Sequence, residues 1–131
     1  MISGGCLCGK IRYRLDGAPA LSVNCHCRMC RKHSGSAFLT YYLVQRAALH
    51  LEGDAPVAFR SSTDAVRAHC GSCGSPLTFV FDADSDNIWV TLGSLDDPNS
   101  VTPHENWFVK DKLDWVALDH RLKNFENGPS D

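Results

Sequence analysis

The sequence is short of charge of one sign. Thirteen lysines and arginines face fifteen aspartates and glutamates in 131 residues, a formal net charge of -2. Nucleic-acid binding ordinarily calls for a clustered basic surface, which this balance does not favour. Long hydrophobic runs are also missing. The longest, residues 37–44, is interrupted by Thr40 and falls far short of the roughly 20 residues that a helix needs to cross a bilayer. Residues 1–6 show no basic segment followed by an apolar one, so no signal peptide is readable and the cytoplasm is the expected compartment. No P-C-x2-C segment occurs, so the zinc pattern of cytidine deaminases is absent. No internal repeat, linker or low-complexity stretch is visible. Neither nucleic acid nor membrane is an expected partner.

What remains is globular. Hydrophobic residues make up 44% of the chain and charged residues 21%, enough for one modest core at this length. A single domain is expected over residues 1–131, with 127–131 as a frayed tail. Residues 10–15 alternate cleanly, with Ile11, Tyr13 and Leu15 on one face and Lys10, Arg12 and Arg14 on the other. Short strands are also expected over 20–23, 36–44, 49–51, 57–61, 65–69, 76–81 and 87–92. Turn signals such as Asp16-Gly17 and Gly53-Asp54 separate several of them. This cadence predicts an all-β domain with few helical turns, one of them near Arg28 to His33. Past Pro103 the pattern is harder to read. Trp107, Phe108 and Trp115 are expected to cover the core.

The seven cysteines carry the most information. Cys6 and Cys8 form C-x-C. Cys25, Cys27 and Cys30 form C-x-C-x2-C. Cys70 and Cys73 form C-x2-C. An odd count of thiols in a reducing compartment argues against a disulfide framework. Short spacings let one turn aim two thiolates at one ion, as tetrahedral zinc requires. Two partitions fit. In one, Cys6, Cys8, Cys70 and Cys73 close one zinc shell, and Cys25, Cys27 and Cys30 leave a vacancy on a second. In the other, Cys27 and Cys30 join Cys70 and Cys73, leaving Cys6, Cys8 and Cys25. Four thiolates make a structural site, and three make a site open to water or substrate. Gly9, Gly71 and Gly74 beside the cysteines suit tight turns with positive φ.

The segments Gly5-Cys6-Leu7-Cys8-Gly9, Cys25-His26-Cys27-Arg28-Met29-Cys30 with Ser34-Gly35-Ser36, and Cys70-Gly71-Ser72-Cys73-Gly74-Ser75 resemble one family in order and flanks. It is the glutathione-dependent formaldehyde-activating enzyme family, shared with centromere protein V. Ser61-Ser62, Gly93-Ser94-Leu95-Asp96-Asp97 and His104 with Trp115 extend the likeness over residues 4 to about 125. The resemblance implies a β-tent fold and two Zn²⁺ per chain. Cys6, Cys8, Cys70 and Cys73 would hold the structural ion, and Cys25, Cys27 and Cys30 the active-site ion. It also implies condensation of glutathione with formaldehyde to S-hydroxymethylglutathione, the work of a carbon–sulfur lyase.

The expected function is therefore a zinc-dependent carbon–sulfur lyase acting on adducts of a glutathione-like thiol with formaldehyde or another small aldehyde. The alternative is a non-catalytic thiol carrier or zinc-stabilised binding module using the same open site. His26, between two ligands, is a candidate proton relay or fourth ligand. Arg28, Arg31 and Lys32, with His33, form a basic cluster suited to the carboxylates of the thiol. Ser34, Ser36, Asp96 and Asp97 read as turn and cap residues.

Overall fold

Alternating apolar residues decide where this chain forms sheet, and the sheets decide where the cysteines meet. The computed structural model describes residues 2–128. In chain order these form β1 (Ile2–Gly5), β2 (Ile11–Leu15), β3 (Leu21–Cys25), α1 (Arg28–Ser34), β4 (Leu39–Gln45), β5 (Leu49–Gly53), β6 (Val57–Arg60), β7 (Ala65–His69), β8 (Pro76–Phe81), β9 (Asn87–Thr91), β10 (Glu105–Trp107) and β11 (Lys123–Asn124), with short 3-10 turns between some of them. A small sheet has the order β1-β2-β5. A large one has the order β11-β10-β3-β4-β9-β8-β7-β6. Pairing is antiparallel except where β10 runs parallel to β3 and β11. The mainly β architecture read from the sequence is what the chain adopts. No described helix is long and apolar enough to cross a membrane.

The large sheet is covered on both faces at its centre. Tyr42 and Val44 of β4 and Ile88 and Val90 of β9 point toward the small sheet and pack with Tyr13, Leu15 and Leu95. The neighbouring Tyr41 and Trp89 belong to the other cluster and pack with Val23, Cys25, Cys30 and Trp107. Period-two alternation thus serves two apolar clusters at once. A third cluster, Cys6, Ile11, Cys70 and Leu77, ties β2 to the turn after β7.

A chain of hydroxyls crosses between the sheets. Tyr42 donates to the Tyr13 hydroxyl at 3.0 Å. Tyr13 and Ser94 share a hydrogen bond at 2.7 Å, and Ser94 donates to the Thr91 carbonyl at 2.7 Å. At the surface, Asp96 accepts from Ser3 at 2.8 Å and from both terminal nitrogens of Arg12. Asp96 therefore pins the small sheet to the loop after β9 as well as shaping its turn. Arg12, and after it Ser3, hold its carboxyl at about 2, below the usual carboxylate range.

Trp115 departs from expectation. It is 76% exposed, whereas Trp107 is buried. The Val116 N–H bonds to the Leu113 carbonyl at 3.0 Å. The tight turn points Val116 inward and the indole outward. Within the expected tail, the carbonyl of Asn127 accepts from the Phe108 N–H at 2.8 Å. Residues 129–131 lie outside the described residues.

Replacing Tyr13 with Phe removes the middle link of the hydroxyl chain and keeps its ring. Urea unfolding should show a loss of about 1–3 kcal/mol. An unchanged midpoint would mean that the chain of hydroxyls contributes nothing.

Candidate metal centre and active site

The sulfurs gather in two groups. Those of Cys6, Cys8, Cys70 and Cys73 all lie within 4.8 Å of one another, and so do those of Cys25, Cys27 and Cys30. All seven cysteines are free. Cys6 and Cys8 are 3.6 Å apart at sulfur, and Cys8 and Cys70 are 3.8 Å apart. A disulfide needs about 2.05 Å. A tetrahedron with arms of about 2.3 Å to sulfur has edges of about 3.8 Å. The four-sulfur group therefore fits a tetrahedral thiophilic ion without rearrangement. The partition that would have joined Cys27 and Cys30 to Cys70 and Cys73 does not occur.

Local backbone geometry builds each group. In the four-sulfur group, the Ile11 N–H donates to Cys6 Sγ at 3.3 Å and the Cys73 N–H to Cys70 Sγ at 3.5 Å. Gly9 and Gly74 close the two turns with φ of 82° and 79°. Their N–H groups bond back to the Cys6 and Cys70 carbonyls. Side chains adopt that left-handed conformation only with strain, which is why glycine stands there. Gly71 has no positive φ; its position lies close to Val57 instead. Ser75, 3.2 Å from Cys73 Sγ, leads the contacts that hold that thiol down at about 5.

The three-sulfur group is built by a strand end and a helix start. Cys25 closes β3, Cys27 caps α1, and its sulfur accepts from the Cys30 N–H at 3.3 Å. The cap places the Cys27 and Cys30 sulfurs side by side. The thiols do not ionise alike. Hydrogen bonds from Cys25 and Cys30 pull Cys27 down to about 2. Its hydrogen bond to Cys27, then the one to Cys30 and burial, push Cys25 far up. Three adjacent thiolates require a cation to compensate their repulsion, and this set offers soft ligands for one.

A cavity of about 300 Å³ opens on this group. Its floor is the sheet face carrying Val23, Tyr41, Phe79 and Trp89. Trp107 and Phe108 form one wall, and Arg28, Lys110 and Asp111 also line it. Trp89 and Trp107 meet edge to face, with ring centroids 5.2 Å apart. Phe108 has φ of 58°, in the left-handed region, which a bulky side chain enters at a cost of about 1–3 kcal/mol.

The sequence reading missed Arg67. It is 2% exposed and lines the cavity. Its Nε donates to Ser61 Oγ at 3.1 Å and its Nη1 to the Tyr41 hydroxyl at 2.9 Å. Both terminal nitrogens lie 3.6 Å from Cys30 Sγ. The guanidinium also sits over the Phe79 ring, 4.6 Å from its centroid. Burial opposes the charge, but Tyr41 and Cys30 outweigh it and raise the pKa above the ordinary arginine value. The signal was present in β7, where Arg67 occupies the inward register shared with Ala65.

The expected site residues fare unequally. Arg28 lines the cavity, and Arg31 and Lys32 do not. Lys110, unnoticed in the sequence, does. His26 belongs neither to the sulfur group nor to the cavity lining. It is 1% exposed, and its ring lies against Phe38 with centroids 4.7 Å apart. Burial lowers its pKa. Ser34 donates to the Cys30 carbonyl at 2.9 Å, so it closes the helix as expected of a cap residue.

Fold and site define a small β protein with one closed and one open cluster of cysteines, each able to hold a metal ion. The family model of the glutathione-dependent formaldehyde-activating enzyme matches residues 1–111, and the chain belongs to that family. A protein of Schizosaccharomyces pombe (strain 972 / ATCC 24843), named an uncharacterized lyase, is 27% identical over 123 residues. The match covers 93% of this chain and 88% of that one. A crystal structure of a Rhodobacter sphaeroides protein has the same fold, with a TM-score of 0.62 and 19% identity, over 77% of this chain and 91% of that one.

Native mass spectrometry should find two metal ions per chain. Cys70→Ser should lose the closed-site ion together with the folded circular-dichroism spectrum. Cys27→Ser should retain the spectrum and one ion. Equal loss of fold in both variants would contradict the division between the clusters.

Proposed function

We propose that the protein is a zinc-dependent carbon–sulfur lyase acting on adducts of a glutathione-like thiol with formaldehyde or another small aldehyde. The observation that carries this reading is the unequal sharing of sulfur. Cys6, Cys8, Cys70 and Cys73 gather four sulfurs that would close the shell of a structural zinc, whereas Cys25, Cys27 and Cys30 gather three that line a cavity. A zinc ion held by those three sulfurs would supply acidity to a coordinating thiol, favouring its thiolate at neutral pH.

The chain's own side chains account for binding and orientation. Besides Arg67 at the sulfurs, Arg28 and Lys110 give the cavity two further cations, and Asp111 gives it one anion. That set complements a tripeptide thiol with two carboxylates and one ammonium group. Arg31 and Lys32, on the same helix outside the cavity, add positive charge at longer range. Trp89, Trp107 and Phe108 surround the route to the sulfurs with apolar surface, which limits water beside the reacting carbon. Held together there, thiol and carbonyl gain the advantage of proximity. The lyase name of the fission-yeast relative agrees with this chemistry. Seven unpaired cysteines suit a reducing compartment, which favours the cytoplasm.

Two measurements test the reading. X-ray absorption at the zinc edge should show a gain in average sulfur coordination on saturation with glutathione. Exchange NMR should show faster interconversion of glutathione plus formaldehyde with S-hydroxymethylglutathione. Thiol binding without rate enhancement would make the protein a carrier, and no change in the sulfur shell would overturn the site assignment.

A further inference from the structure

A buried cation normally finds a carboxylate. Arg67 does not: no ion pair with Asp or Glu involves it among the described residues. Its polar partners are two hydroxyls, the Ser61 and Tyr41 oxygens, and the sulfur of Cys30. Taking a guanidinium out of water is costly unless an opposite charge compensates it. Of its polar partners, the one that carries negative charge when a metal is bound is the sulfur of Cys30, a member of the three-cysteine group.

The grip is also directional. Ser61 fixes Nε, Tyr41 fixes Nη1, and the Phe79 face supports the guanidinium. Both terminal nitrogens then lie equidistant from Cys30 Sγ. A planar fork held in this way cannot be replaced by the mobile ammonium of lysine without losing direction.

We propose that Arg67 is the positioning residue that sets the charge of the open site and so makes it a receptor for an anion. This rests on the reading that the three cysteines hold a divalent ion. Three thiolates on such an ion leave one negative charge, which repels a thiolate and favours a neutral ligand. The Arg67 guanidinium cancels that charge. A thiolate can then enter without meeting the net negative charge of the cluster, and the Cys30 sulfur is held in place while it does.

Full-length protein loaded with cobalt(II) provides the test, because its visible absorption reports changes in the open shell. Azide serves as the anionic probe, imidazole as the neutral one, and glutathione as the thiol. The unmodified protein should bind azide and glutathione. Arg67→Met should weaken both by about tenfold or more, with imidazole changing less than about twofold. Arg67→Lys should recover part of the azide affinity, since it restores charge without the fork. Ser61→Ala, which frees only Nε, should weaken azide a few-fold. A purely structural arginine would lower the melting temperature and leave the ratio of azide to imidazole affinity unchanged, which would overturn the proposal. If Arg67→Met does not fold, the unmodified protein and Ser61→Ala still decide. Preference for imidazole over azide in the former, or an unchanged ratio in the latter, overturns the proposal. One cobalt per chain, confined to the four-cysteine group, would instead remove the underlying reading of the open site.

Discussion

Repulsion among crowded sulfurs is the constraint on which the structure depends. Seven thiols occupy two small volumes, with sulfur pairs as close as 3.6 Å. Such packing favours a bound cation over a set of free thiolates. The four-sulfur group joins the turn before β2 to the turn after β7, so it ties the small sheet to the far half of the large one. The three-sulfur group makes no comparable long-range tie. Its ligands come from one six-residue stretch, already arranged by the end of β3 and the first turn of α1. One cluster can hold the fold together, and the other is free to take part in chemistry.

The large sheet turns that division into a site. Its central strands send alternate residues to opposite faces. One face supplies the packed interior against the small sheet, and the other supplies a cavity floor beside the sulfurs. Tyr41 and Tyr42 show the principle in adjacent residues. Tyr42 is locked into the hydroxyl chain between the sheets, whereas Tyr41 braces Arg67 beneath Cys30. Stability and function draw on the same strands without competing for the same side chains.

Much of this was legible in the sequence because it was written locally. The cysteine spacings narrowed the seven thiols to two partitions, one of which is the observed pair of clusters, and strict alternation located β2. The helical turn after Cys27 was visible in outline. Other features depended on distant partners. β1, with the sequence Ile-Ser-Gly-Gly, has no strand signal of its own and is held by pairing with β2. β10 and β11 are short; β10 gains its order beside β3, and β11 beside β10. Lys110 lies on the short 3-10 turn that follows the left-handed Phe108, a feature without a local sequence signal. Arg67 was missed because an arginine in a strand reads as an exposed residue until its buried register is known. Trp115 misled in the opposite sense, since an indole suggests burial and this one lies on the outside of a turn.

The left-handed turn at Phe108 separates two responsibilities along the chain. Every clustered cysteine lies between Cys6 and Cys73, while Trp107, Phe108, Lys110 and Asp111 supply one side of the cavity from a later segment. That segment is anchored through the bonds from Phe108 to Asn127 and from Val109 to Phe125. Inherited changes there can reshape the cavity while both cysteine clusters stay intact. The fold therefore leaves a route to alter what the cavity admits without disturbing the sulfurs.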